Sequence, residues 1–443
     1  MRVLLIGAAA VGLLLESIRV STAEEAESEF HPPLRLQAEG RDIDTGEAWG
    51  HSGPAMADVD GDGRRDLIVG DFSGKFRVFP NIGSDAEPKF GPQTYLMAGD
   101  KEAEVEIYCC IGSSPYFVDY DGDGVLDMLS GSYDPGECYL FRGLGAGRYA
   151  ARETIVGADG KPVLRVTDQR QDYQSYGSWP VMVDWDNDSD LDLLVGGFDG
   201  TMFVRINEGT REKPVLAATN LQVMAGGKKL TVPDRHAAIS VADWDADGRW
   251  DIVSGSELGA VYWYRNVGTA ETPGFERDRM LLPKAFDENY IELDEAGAEP
   301  KRGVRTQVFA TDYNRDGKTD LLVGDFRSLK RLRADLTADD RSRLAKIQSE
   351  LNSLAHERRG AMDAMQRAFA EKYPGDESVS DEADAEWQAT YTAYRDSDAT
   401  KLREARVAEL YQAMVEFLIK PSSVGRFDDY ETTHGYVWLY LRK

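Results

Sequence analysis

Asp58-Val59-Asp60-Gly61-Asp62-Gly63-Arg64-Arg65-Asp66-Leu67-Ile68-Val69-Gly70 is an acidic loop that runs into a short apolar segment, and the chain repeats it five times. The copies begin at Asp58, Asp119, Asp184, Asp243 and Asp312, about sixty residues apart, so one structural unit is repeated along the chain. Side chains at alternate positions of a turning loop converge on one point. Asp58, Asp60 and Asp62 can each offer a carboxylate oxygen to a hard cation, Gly63 permits the bend, the carbonyl of Arg64 can face inward, and Asp66 closes the shell. This is the front half of a calcium loop. It is not an EF-hand, which needs a bidentate glutamate at position twelve, where this chain has Val69. No helix follows either: Leu67-Ile68-Val69-Gly70 and its counterparts are short apolar runs ended by glycine, the pattern of buried strands.

Up to five structural calcium ions are therefore expected. The second loop offers Asp119, Asp121, Asp123, Asp127 and the Val125 carbonyl; the fourth offers Asp243, Asp245, Asp247, Asp251 and the Arg249 carbonyl. The third has Asp184, Asp186, Asp188, Asp192 and the Asp190 carbonyl, but Ser189 stands where glycine is wanted. A left-handed torsion there costs about 1 kcal/mol. The fifth, Asp312, Asn314, Asp316, Asp320 and the Lys318 carbonyl, replaces one carboxylate by an amide. These two should be the weaker sites.

The net charge is -27, yet nineteen of the twenty side-chain ligands are aspartates gathered on one set of turns, where calcium would neutralise them. Nucleic acid is an unsuitable partner, since the chain lacks a basic stripe. Residues 1–23 read as a secretory signal: Arg2, an apolar stretch from Val3 to Leu15, then small residues before Glu24. An acidic linker, 24–29, follows. No other segment is apolar enough over eighteen residues to suggest an integral membrane helix. The expected location is secreted, extracellular or periplasmic, where calcium suffices for low-affinity loops. Of three cysteines, Cys110 and Cys138, or Cys109 and Cys138, are expected to form a disulfide.

Each unit has further landmarks. A third strand follows in Lys75-Phe76-Arg77-Val78-Phe79, Cys138-Tyr139-Leu140-Phe141, Met202-Phe203-Val204-Arg205 and Ala260-Val261-Tyr262-Trp263-Tyr264, closed by turns such as Asn81-Ile82-Gly83 and Asn266-Val267-Gly268. A more polar fourth strand comes next. Four antiparallel strands per unit, repeated, is the pattern of an all-β propeller. The loops, the D-[LI]-[LIV]-V-G strands and the glycine turns resemble the FG-GAP/VCBS repeats of integrin α-subunit propellers and secreted bacterial proteins, over residues 30–327 and the last ten. That resemblance implies blades whose first and second strands are joined by the calcium loop. Integrin-like propellers have seven blades; this chain has five such units.

The fifth unit lacks its third strand after Leu321 to Phe326. The strand reappears at the C terminus, where residues 434–442 resemble 259–265, and the N-terminal segment from Phe30 to Ala38 resembles a fourth strand. The expectation is a five-bladed propeller of four-stranded blades over 30–327, its last blade completed by the N-terminal strand and by a return segment, 422–443. Such closure removes exposed edges. Residues 328–421 change to a helix-forming composition, with a start signal at Thr337-x-x-Asp340 and a break at Pro374. They read as an α-helical hairpin, its second arm running from about Asp381 to Lys420 and its Met and aromatic stripe forming its own core. Self-association through this hairpin is a further expectation.

In such blades the acidic loops lie at one end of the first strands and the insertion at the other. There the residues leading into each blade offer Trp49, His51, Ser113, Ser114, Ser178, Trp179, Arg235, His236, Arg305 and Gln307 for stacking and hydrogen bonds to a sugar or peptide. The leading functional expectation is a calcium-stabilised binding or scaffold module for protein or glycan. The alternative is a polysaccharide lyase or hydrolase with its site on that same face, although no nucleophile, metalloprotease or phosphate-loop motif is present.

Overall fold

Each acidic loop feeds a strand that is buried along its whole length: Asp66–Gly70, Asp127–Gly131, Asp192–Gly197 and Asp251–Gly255. Continuous burial explains why these runs are apolar without alternation. The computed structural model describes residues 29–443 except 47–49, 106–112, 134–135, 165–176, 286–290, 295–300, 374–380 and 422–428. The expected signal, Trp49, Cys109, Cys110 and the Pro374 turn lie outside the described residues. Cys138 is described, and is fully buried.

The protein is mostly β, with several four-stranded antiparallel sheets and, among the described residues, three helices. Sheet I comprises Gly53–Ala57, Asp66–Gly70, Phe76–Phe79 and Thr94–Tyr95. Sheet II comprises Tyr116–Val118, Asp127–Gly131, Cys138–Phe141 and Glu153–Thr154. In sheet III the strands are Ser178–Val183, Asp192–Gly197, Met202–Arg205 and Leu221–Gln222. Sheet IV contains Ala238–Ala242, Asp251–Gly255, Val261–Tyr264 and Arg279–Leu282. Sheet V draws on distant parts of the chain. Val304–Thr311 pairs with Asp320–Arg331, which pairs with C-terminal Val437–Tyr440, which pairs in turn with N-terminal Leu34–Arg35. Leu34 stands opposite Leu439 and Arg35 opposite Trp438.

The first strands of sheets I to V contact one another in chain order, and sheet V contacts sheet I. Glycine makes these junctions possible. A methyl group on Gly131 would lie 1.8 Å from the Ser178 carbonyl oxygen, and the same approach recurs at Gly70, Gly196, Gly255 and Gly324 against Ser113, Ala237, Thr306 and Ser52. At four junctions a hydroxyl then bridges to the preceding sheet. Ser178 Oγ accepts from Ser132 N at 3.1 Å and donates to Glu137 O at 2.9 Å. Ser113 does the same with Asp71 N and Lys75 O, Thr306 with Ser256 N and Ala260 O, and Ser52 with Asp325 N and Tyr436 O. The junction of sheets III and IV has Ala237 there and relies on its backbone, Ala237 N donating to Gly197 O at 3.0 Å.

A second set of ties lies at the outer edge. Short hairpins follow the fourth strands, such as Gln37–Ala38 with Arg41–Asp42 and Met97–Ala98 with Lys101–Glu102. Each reaches the next sheet: Glu39 N donates to Phe90 O, Gly99 N to Tyr149 O, Ala158 N to Leu216 O and Gly226 N to Phe275 O. In the sequence these hairpins merge with the fourth strands, marked only by Ala38, Ala98, Ala158 and Ala225, each one or two residues before a glycine.

In sheet V the strand expected to stop at Phe326 continues to Arg331, pairing with Ile291–Asp294 and Thr432–His434. Helix α1 spans Ala338–Lys372 and opens with a reciprocal capping box: Asp340 N donates to Thr337 Oγ1 and Thr337 N to the Asp340 carboxylate. The second arm is not one helix. It divides into α2, Asp381–Asp396, and α3, Asp398–Val415, because Ser397 turns extended and its hydroxyl accepts from Thr400 N. Helix α3 packs on both α1 and α2. Leu344, Met414 and Phe417 form a core with Leu332 and Leu418, and Phe369 meets Trp387 edge-on at 5.2 Å. Leu402, on the second arm, is 74% exposed.

Candidate functional site

The five acidic loops share one backbone plan. The first aspartate folds the loop by accepting from its far side. Asp58 accepts from Gly61, Asp62 and Gly63 N, Asp184 from Asp188 and Ser189 N, Asp243 from Asp247 and Gly248 N, Asp312 from Asp316 and Gly317 N, and Asp119 from Gly124 N. The fifth-position residue then accepts from the seventh: Asp62 from Arg64, Asp123 from Val125, Asp188 from Asp190, Asp247 from Arg249 and Asp316 from Lys318. The bend sits at Gly63, φ 87°, and its equivalents. Ser189 adopts φ 78° in the third loop, the strained conformation its position demands.

The last aspartate does more than close a shell. Asp66, Asp127, Asp192, Asp251 and Asp320 are buried, and each accepts two backbone N–H groups. One comes from its own loop, as with Trp185 N to Asp192 at 2.8 Å; the other comes from the end of the third strand, as with Asn207 N to Asp192 at 2.6 Å. Arg442 N fills that second place for Asp320. Burial raises Asp66 to about 6 and Asp192 to about 7, against the lowering effect of those donors and with help from neighbouring carboxylates.

Carboxylate oxygens converge within 4.8 Å in four loops: Asp58, Asp60 and Asp62; Asp119, Asp121 and Asp127; Asp184, Asp186 and Asp192; Asp243, Asp245 and Asp251. Buried oxygens of Asp119, Asp121, Asp186, Asp190 and Asp245 have no hydrogen-bond partner among the described residues. All-oxygen sets with orphaned anionic atoms fit a hard cation. The fifth loop, with Asn314 in place of a carboxylate, contributes no such triple among the described residues.

The opposite ends of the first strands carry the other expected residues. Ser113 and Ser178 are the junction hydroxyls described above, so their side chains serve the fold. Ser114 N donates to Ser130 Oγ, and Arg235 is exposed. His51 and His236 are fully buried, Trp179 and Gln307 nearly so. His51 stacks on Phe72 at 4.6 Å with the Gln307 amide nitrogen 3.4 Å from Nδ1, and His236 meets Trp179 edge-on at 4.4 Å. The Arg305 guanidinium lies 5.4 Å from the Phe326 ring centre. Burial first, and Arg305 second, hold His51 near a pKa of about 3 and His236 well below its usual value. Phe72, Phe198 and Phe326, whose rings lie against His51, His236 and Arg305, carried no signal beyond following the strand-ending glycines. Between the first strands remains a cavity of about 30 Å³ lined by Pro54, Ser114, Tyr116, Trp179, Ile239 and Gln307, among others.

Residues 119–195, which span the second loop to the second strand of sheet III, match the model of the FG-GAP-like repeat. The chain carries an FG-GAP-like repeat. No curated protein matches the sequence. Among solved structures, the Photorhabdus luminescens Tc holotoxin pore aligns at 14% identity and TM-score 0.32, over 68% of this chain and 14% of that one. BBS1N in complex with ARL6DN aligns at 11% identity and TM-score 0.32, over 66% and 81%. Fructofuranosidase from Schwanniomyces occidentalis aligns at 8% identity and TM-score 0.37, over 70% and 62%. Likenesses this loose say nothing of what this FG-GAP repeat chain does. Among its described residues no helix is long and apolar enough to cross a membrane.

Proposed function

We propose that this chain is an exported, closed five-bladed propeller, fastened by calcium at up to five loops, that serves as a binding or scaffold module for a protein or glycan. The observation that carries the reading is the separation of roles along the first strands. Carboxylate loops occupy one end, while buried histidines, Arg305 and the helical insertion occupy the other. The succession of contacts from sheet I to sheet V and back to sheet I, with the termini paired inside sheet V, supports closure. All-oxygen donor sets and an N-terminal segment that reads as a secretory signal favour calcium over a softer metal. The cavity of about 30 Å³ between the first strands is too small for a sugar or peptide, so the reading takes a ligand to sit at its mouth or on the insertion. Its lining of Pro, Ser, aromatic, aliphatic and Gln side chains favours binding over acid–base hydrolysis, which needs paired carboxylates.

The test is a melting curve of the mature protein with calcium and with a chelator, followed by glycan and pull-down screens with and without residues 333–417. The expected result is a lower Tm on chelation and a partner captured through the mouth or the insertion. An unchanged Tm on chelation would remove calcium from the reading. Capture through the acidic loops alone would reverse the choice of face.

A further inference from the structure

The helical insertion encloses a space that its own core does not fill, a cavity of about 420 Å³ between α1 and α3. The inner end of this cavity is apolar. Leu293 from strand Ile291–Asp294, Leu351 from α1 and Met414 from α3 line it there, beside the core cluster at the base of the insertion. Ala355 and Ala408 line it from the two helices, and side chains this short leave open a seam that Leu or Met would close. Further out the lining becomes basic. Arg358 lies seven residues beyond Leu351, about 10 Å along α1, and Arg403 lies eight residues before Tyr411, about 12 Å along α3.

The partners of these cations decide what the cavity can hold. Arg358 is exposed and makes no hydrogen bond or ion pair among the described residues. Arg403 donates from Nη2 to Tyr394 Oη at 2.6 Å and to Thr400 Oγ1 at 3.2 Å, and it meets no carboxylate among them. A guanidinium carries five N–H donors, so both side chains keep donors for an anion. Glu404 also lines this end, which leaves two positive charges against one negative on a chain whose net charge is -27. An apolar inner end and a cationic outer end match a single-chain amphiphile with an anionic head. The volume lies within the range of about 300 to 1,000 Å³ typical of small-ligand pockets. A partner helix, about 10 to 12 Å across, would lie over such a space without entering it.

We propose that the cavity between α1 and α3 binds a fatty-acid-like amphiphile, its chain against Leu293, Leu351 and Met414 and its carboxylate on Arg358 and Arg403. Decanoate is the probe, titrated at micromolar concentration by calorimetry into the full-length mature protein. Decyltrimethylammonium, with the same chain and a cationic head, is the control. Saturable binding of one decanoate per chain is expected, with decyltrimethylammonium bound far more weakly. Arg358→Met should weaken decanoate about tenfold, the worth of one charge-assisted hydrogen bond, with Tm unchanged because Arg358 supports nothing else. Arg358→Lys should restore part of that loss. Ala408→Trp fills the seam from an exposed position and should abolish binding while the protein still melts in one transition. Absence of saturable decanoate binding overturns the site, as does equal binding of the two amphiphiles or an affinity unchanged in both Arg358→Met and Ala408→Trp. A mass that rises with concentration in a protein that takes up no decanoate would give the groove to a second copy of the chain, and would overturn it too. No protein or glycan partner takes part, so each of these failures leaves the binding-module reading standing.

Discussion

Asp66 ties its loop to two strands, accepting from Val59 N and Asn81 N, whereas Asp60 offers its carboxylate to the loop centre. The two aspartates can therefore be separated by experiment. Asp66→Asn puts an amide N–H against backbone N–H groups and should cost about 1 to 3 kcal/mol with or without calcium, read from denaturant melts. Asp60→Asn should leave the calcium-free protein unchanged and reduce only the stabilisation that calcium adds. If both variants respond alike in chelator, the structural tie assigned to Asp66 is wrong. His51 supplies a pH test. Unfolded, its imidazole takes a proton near 6.5; folded, only near about 3. The unfolded state thus binds more protons in that interval, so the contribution of neutral His51 is complete above 6.5 and declines as the pH falls towards 3, by about 1.4 kcal/mol per pH unit. Asp325, raised by burial to about 6, acts in the opposite sense from there down to its ordinary 3.8. The measurement is therefore the difference between wild type and His51→Phe, which should move in favour of the variant below pH 6. The alternation of aspartates made these loops readable. The backbone ties of Asp66 and its equivalents were not, because spacing shows which side chains converge but not which distant N–H groups a carboxylate meets.

Strands and junctions differ in how far they could be read. Runs such as Asp192-Leu193-Leu194-Val195-Gly196 announce a buried strand, but a serine in sequence does not reveal where its hydroxyl points. Ser113 and Ser178 consequently read as ligand groups and proved to be sheet-to-sheet bridges. The break at Ser397 was hidden for a related reason: Asp396-Ser397-Asp398 lies in helix-forming composition, and only the capping geometry separates α2 from α3. The junction chemistry leads to a graded pair of variants. Ser178→Ala leaves Ser132 N and Glu137 O without their hydroxyl partner and should cost about 1 to 3 kcal/mol. Gly131→Ala drives a methyl group into a backbone oxygen 1.8 Å away, which only movement of sheet III against sheet II can relieve. It should cost about 3 kcal/mol or more. Urea midpoints at constant slope would rank them, and a Gly131→Ala protein as stable as wild type would contradict the close approach.

At the scale of the molecule, the helical insertion enters and leaves through adjacent points. Arg333 N donates to Phe417 O at 2.9 Å, Ile419 N donates to Arg331 O at 2.8 Å, and Leu332 faces Leu418 across an antiparallel bridge. A short turn can therefore join Leu332 to Leu418 without stretching the chain, and residues 333–417 can be removed from sheet V as a unit. Removal takes Leu344, Met414 and Phe417 from the cluster at the base and uncovers Leu332, Leu418 and the side chains packed on them. Some stability should be lost, at about 25 cal/mol per Å² of apolar surface left in water. Cooperativity should survive, because the paired termini, Val437–Tyr440 with Leu34–Arg35, lie away from the excision and close sheet V by themselves. The expected outcome is a single melting transition at reduced Tm whose displacement by calcium equals that of the full chain, since all five acidic loops sit at the other ends of the first strands. A broad, non-cooperative melt would show instead that the helices belong to the core of the fold, and a lost calcium response would show that the two ends are coupled.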